Sequence, residues 1–194
     1  ALTYRTTGNA FTNSFHVVLG EGSTFAAASR VTDVSLGTIE GPGGVTCCCV
    51  MKDRPANESY ITSKFLGQNL YTGVTKIAGG YQRAEFGASV PTGNFACDAY
   101  TYTQFSFYPA EHEDGGNSAV TINRLDAPYL ANQILAAANQ TVTVKKIVGK
   151  CSAYPASGDE TSVVDFNPAI GPAVIRTNSK PNVHFNGKPS AEAG

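Results

Sequence analysis

The side chains of this chain that could serve acid–base, nucleophilic or metal chemistry are few and scattered. Glu85, Asp98, Glu111 and Glu113 are the acids that a fold could pair across a glycosidic bond, one giving a proton and the other opposing it. Their spacing singles out no such pair. His16 alternates with apolar neighbours and His184 lies in a proline-spaced tail, so both histidines read as structural. Cys47, Cys48 and Cys49 are consecutive, and with Cys97 and Cys151 they make five, an odd total. Adjacent strand residues face opposite ways, and the triplet reads as small hydrophobic thiols in a buried strand. A disulfide from the triplet to Cys97 or Cys151 is the alternative. With no C-x-x-C pair and no nearby histidine, a zinc site has no support. The loop 109–117 carries Glu111, His112, Glu113 and Asp114, whose oxygens could hold a cation. It lacks the alternate-position spacing of a calcium loop, and a solvated turn is the expectation. Gly20 and Gly22 do not extend into a dinucleotide fingerprint, and G-x-S-x-G, H-E-x-x-H and a Walker loop are all absent. The chain is therefore expected to be no enzyme, with no catalytic residues, cofactor or metal.

Composition bounds the elements that would carry any site. In 194 residues there are 20 glycines and 10 prolines, only 15% charged side chains, and a net charge of -1. Such a surface is built from Thr, Ser, Asn, Gln and Tyr, as in assembling and secreted proteins. The near-neutral balance excludes a binder that relies on overall basicity. No apolar run approaches the roughly 18 residues that cross a bilayer, and no membrane partner is expected.

The most regular stretch is 97–108. Cys97, Ala99, Thr101, Thr103, Phe105 and Phe107 alternate with Asp98, Tyr100, Tyr102, Gln104, Ser106 and Tyr108. That pattern predicts one long strand with an apolar face and a tyrosine row. Turn signals at Gly41-Pro42-Gly43-Gly44, Gly67, Gly73, Gly79-Gly80 and Pro91-Thr92-Gly93 cut the chain into many short strands. The expected fold is mainly β, an antiparallel sandwich or barrel. One short helix is predicted over about 126–139, capped by Asp126, with Pro128 in its first turn and Leu130, Ile134 and Leu135 in a stripe. Its order, a strand with Ala99-Tyr100 and Phe105-x-Phe107 and then a helix, resembles small bacteriophage coat proteins over a small part of the chain. No residue role is carried over from that resemblance.

Residues 1–166 read as a single β-rich domain and 167–194 as an extended Pro/Gly-rich arm, with Pro168, Pro172, Pro181 and Pro189. The expected function is that of a non-enzymatic, self-assembling structural subunit of a virion, such as a coat, decoration or tail-tube protein. Its partner would be a second copy of itself. Contacts are expected from Tyr100, Tyr102 and Tyr108, and from Ile170, Val174, Ile175 and Phe185 of the arm. Lys145, Lys146, Lys150, Arg176 and Lys180 are the residues expected to reach viral nucleic acid. The alternative is a secreted binding module that recognises a carbohydrate or a host protein through tyrosines such as Tyr60, Tyr71 or Tyr81. The sequons at Asn57 and Asn139 favour that alternative.

Overall fold

The computed structural model describes residues 2–5, 11–29, 33–49, 61–79, 81–98, 102–129, 131–155, 163–177 and 183–185. Among them, every strand pairing is parallel. The chain is a β-solenoid, winding through three sides and stacking each turn on the last. The first side holds β1 (Leu2–Arg5), β4 (Thr24–Ser29), β7 (Gly44–Cys49), β9 (Thr75–Ala78), β11 (Phe95–Cys97) and β14 (Leu125–Ala127). The second holds β2 (Phe11–Asn13), β5 (Asp33–Ser35), β8 (Ile61–Phe65), β10 (Gln82–Phe86), β12 (Thr103–Phe107) and β15 (Asn132–Ala136). The third is made of shorter pieces: β3 (Val17–Val18), β6 (Ile39–Glu40), a bridge from Ile39 to Asn69, and β13 (Ala119–Ile122).

β16 (Thr141–Pro155) joins the sides, pairing in turn with β13, β14 and β15 as one strand bent around the solenoid. β17 (Val163–Thr177) follows it, and β18 (Val183–Phe185) pairs with β17. The register between β16 and β17 slips between Val144 and Lys146 and again between Ile147 and Gly149. An extra residue bends a strand; the first slip sits at the corner between the third and first sides, and the second within the stretch that pairs with β14.

Parallel stacking puts like residues over one another, and the core is a set of columns along the solenoid axis. On the first side Phe25, Val45, Thr75, Phe95, Leu125 and Ile147 are in register, all pointing inward. On the second, Phe65, Phe86 and Phe107 form a column with ring centroids 5.3 and 5.8 Å apart, both pairs stacked. Phe95 closes on Phe105 edge to face at 5.1 Å, tying the first side to the second. Such rings supply large apolar area and, as pairs, about 1 kcal/mol each beyond it.

The corners need small residues and amides. A Cβ on Gly67 would run into the carbonyl of Gly37 below, and one on Gly93 into that of Gly73. Corner carbonyls are also capped by side-chain amides. Asn69 Nδ2 donates to the carbonyls of Phe65, Gly67 and Ser89, and Gln140 Nε2 to those of Tyr108 and Asn117.

Several expectations are corrected here. The antiparallel sandwich or barrel is overturned by the uniformly parallel ladder, because glycine-punctuated short strands suit the corners of a solenoid as well as hairpins. The helix over about 126–139 is instead β14 and β15, and the described residues hold no helix. Ile134 points inward over Phe105 while Leu135 is half-exposed, which is strand alternation. Asp126 pairs with Arg124 at 2.8 Å instead of capping, and Pro128 falls just past β14, where its missing N–H breaks no ladder. Stacking outweighed the helical spacing of three apolar residues. Without that helix, the resemblance to small phage coat proteins loses its basis. The twelve-residue strand 97–108 is two strands on two sides, β11 and β12. Of its described residues, Cys97, Thr103, Phe105 and Phe107 are buried and Asp98 and Tyr102 exposed as the alternation predicts, but Gln104 and Tyr108 of the opposite row are buried as well.

Candidate functional site

The face of the second side turned away from the phenylalanine column carries the most organised polar network among the described residues, and most of it is buried, with Thr62, Gln104, Gln133 and Glu85 each 8% exposed. Thr62, Arg83, Gln104 and Gln133 stand in register on β8, β10, β12 and β15. Arg83 Nε donates to Gln104 Oε1 and Gln104 Nε2 to Gln133 Oε1, both at 2.6 Å. Identical spacing along the axis lets each planar group bond the next, which holds the column rigid. A second column begins with Lys64 and Glu85. Glu85 accepts from the Tyr108 hydroxyl at 3.1 Å and is approached by Lys64 Nζ at 3.7 Å and Arg83 Nη1 at 3.3 Å.

The loop after β12 folds back onto this cluster. His112 stacks on Tyr108 at 3.8 Å between ring centroids, and its Nδ1 accepts the amide of Asp114. Burial lowers the Lys64 pKa, but the Tyr108 hydroxyl, Glu85 and Asp114 together outweigh it and leave that pKa above its ordinary value. Burial and the nearby Glu85 push the Tyr108 phenol upward in the same cluster. Lys64 and Arg83 against Glu85 and Asp114 make a charge-balanced patch. Of its two acids, Glu85 is engaged by the Tyr108 hydroxyl, Lys64 and Arg83, and Asp114 lies beside His112.

At the corner between the first and second sides stand three exposed tyrosines; Tyr81 and Tyr102 hold matching positions on successive turns, whereas Ala131 takes that position on the next and Tyr129 lies two residues before it. Tyr81 precedes β10, Tyr102 precedes β12, and Tyr129 lies in the turn before β15. They are 43%, 50% and 41% exposed. The Tyr81 and Tyr102 rings lie 6.0 Å apart, tilted by 41°. Tyr81 has φ 52, a left-handed backbone that glycine or asparagine adopts at less cost than tyrosine.

The sequence-expected residues are distributed as follows. Tyr102 is exposed at this corner, Tyr108 is buried against Glu85 and His112, and Tyr100 is outside the described residues. Tyr71 is a core residue bonded to Thr75 Oγ1 at 2.7 Å. Ile170, Val174 and Ile175 lie in β17, in register with Ile147, Lys150 and Cys151 of β16, and Phe185 lies in β18 opposite Phe166. Lys145 and Lys146 are exposed at the corner between the third and first sides, away from these tyrosines. Lys150 and Arg176 are strand residues of β16 and β17, and Lys180 is outside the described residues. Cys47, Cys97 and Cys151 are buried thiols and Cys48 is half-buried, and these four are free of disulfides. Of the acids weighed in the sequence, Glu111 accepts from Asn139 Nδ2 at 3.3 Å and Asp98 pairs with Lys76 at 2.5 Å. Among the described residues no group of three His, Cys, Asp or Glu is placed to hold a metal ion.

Sequence reasoning missed the Arg83 column and the Glu85 cluster, although a signal for both was present. Tyr60, Tyr81 and Tyr102 recur every twenty-one residues, and so do Phe65, Phe86 and Phe107. Self-similarity at that period is the mark of a solenoid turn, and it predicts which side chains stack. No protein-family model, curated protein or solved structure matches this chain.

Proposed function

We propose that this protein is a non-enzymatic binding module, a rigid β-solenoid that holds a partner against its exposed tyrosines. The observation that carries this reading is the pair Tyr81 and Tyr102, exposed and in ring contact on successive turns, with Tyr129 exposed nearby on the next. Tyrosine combines a large apolar ring with a polar tip and loses little entropy when it binds. The balanced charges and the engaged Glu85 support recognition over catalysis.

The test is to probe the full chain and its Tyr102→Ala variant on arrays of glycans and of peptides. Signals that the wild type gives and the variant loses support the reading. Identical signals from the two proteins would refute it.

A second reading, a self-assembling structural subunit such as a virion protein, is favoured by β17. That strand pairs with β16 along its length, but among the described residues its other edge is paired only over Val164–Phe166. An open parallel edge accepts a strand from another copy. Light scattering of the full chain tests this, since a monomer at 20.3 kDa at every concentration tried would refute it.

A further inference from the structure

We infer that the loop after β12 is a pH-operated latch, in which protonation of His112 moves its Nδ1 from the backbone amide of Asp114 to the carboxylate of the same residue. The inference is independent of the binding reading above and concerns the loop that folds onto the Glu85 cluster. His112 Nδ1 accepts the Asp114 amide at 3.1 Å and lies 3.8 Å from Asp114 Oδ2. An imidazole nitrogen that accepts a hydrogen bond carries no proton, and once protonated it can only donate. The amide then loses its acceptor, while the carboxylate beside it gains a charged donor, and a charge-assisted bond is the stronger of the two. Imidazole is the side chain that ordinarily changes charge between about pH 5 and pH 8, which is the range in which the exchange is sought.

The surroundings confine the movement to a few residues. The ring is seated on Tyr108, with centroids 3.8 Å apart and 27° between the planes, and a cation over a tyrosine face keeps such a seat. Both ends of the loop are anchored. His112 donates its amide to the Pro109 carbonyl, Asn117 donates its amide to that of Tyr108, and Asn117 Nδ2 donates to the carbonyls of Gly87 and Ala88 on the preceding turn. Between these anchors Gly115 has φ 81 and can absorb a change of backbone direction that other residues resist. The charges around the ring come from three elements. Glu111, Glu113 and Asp114 of its own loop favour the imidazolium, Lys64 of β8 and Arg83 of β10 oppose it, and Glu85 of β10 is engaged by Tyr108, Lys64 and Arg83. Asp114 is also one of the acids acting on Lys64, so once the ring is charged its carboxylate is shared between the lysine and the imidazolium.

The experiment is proton–nitrogen NMR of the full, isotope-labelled chain between about pH 8 and pH 5, with the protonation of His112 followed on its own ring protons. The expected result is that the Asp114 amide proton moves upfield with the same midpoint as the ring. Its exchange with solvent, relative to the rate of an unstructured peptide at the same pH, should rise roughly two- to tenfold, the change that one net hydrogen bond represents. His112→Phe keeps a ring on Tyr108 but offers no nitrogen, so its Asp114 amide should hold one position and one relative exchange rate over that range. An Asp114 amide that ignores the His112 midpoint, or that responds identically in His112→Phe, overturns the inference. A shift without faster exchange would mark a charge felt through space and overturns it as well. The wild-type titration decides alone if His112→Phe does not fold.

Discussion

At the residue scale, burial explains why the cysteines of this chain are packing residues. Cys97 lies inward on β11, within 3.4 Å of the Thr103 hydroxyl, and burial pushes its thiol up to about 12. Cys151 is raised too, again by burial. An unfolded chain would release the Cys97 proton near its ordinary value of 9.0, whereas the folded chain keeps it. The folded state therefore binds more protons above that point. Its stability is fully present below about pH 9 and declines as pH rises towards 12. Urea titrations of the wild type and of Cys97→Ala between about pH 8 and pH 11 should show the wild type losing stability more steeply. Parallel slopes would mean that Cys97 is not held in the buried, protonated state. Reading the triplet as small buried thiols was sound for Cys47, while Cys48 faces outward and is half-buried.

At the element scale, β15 is the informative case. Leu130, Ile134 and Leu135 fit a helix stripe by spacing, and nothing local contradicts a helix. What decides is the strand already in place beside them. Ile134 stands over Phe105, and Asn132 Nδ2 bonds Thr103 Oγ1 at 2.9 Å, so the segment completes columns that a helix would leave open. A helix stripe buries Ile134 and Leu135 alike, while a strand separates them. Ile134→Ala should thus cost about 2–5 kcal/mol in chemical denaturation, and Leu135→Ala about 1 kcal/mol or less. Equal losses would favour the helix.

At the scale of the whole molecule, the solenoid makes turns interchangeable where their columns match. Thr75 lies over Val45 and Phe95 over Thr75, so residues 75–94 span one turn. Excising them places Phe95 over Val45 with every inward column kept in phase. That shortened chain should still unfold cooperatively in urea, with a smaller m value because less surface is exposed. Excising only residues 75–84 takes out part of a turn and should leave a chain without a cooperative transition. Cooperative unfolding of both chains, or of neither, would contradict this stacking.

The sequence by itself determined a β-rich, low-charge chain of short strands, the inward and outward assignment of Thr103, Phe105 and Phe107 against Tyr102, and the break points at Gly67, Gly73 and Gly93. These rest on local chemistry, since alternation and glycine freedom need no distant partner. A period of twenty-one in Tyr60, Tyr81 and Tyr102 and in Phe65, Phe86 and Phe107 was also there to be read, though connections of unequal length hide it elsewhere. Only the tertiary structure decided that the strands stack in parallel. Short alternating strands fit antiparallel and parallel neighbours alike, and the choice lies in which distant residues fill the next position of a column. The same stacking places Arg83 against Gln104, Tyr108 against Glu85, and Tyr81 beside Tyr102. The candidate site is a product of register, and register is a relation between turns.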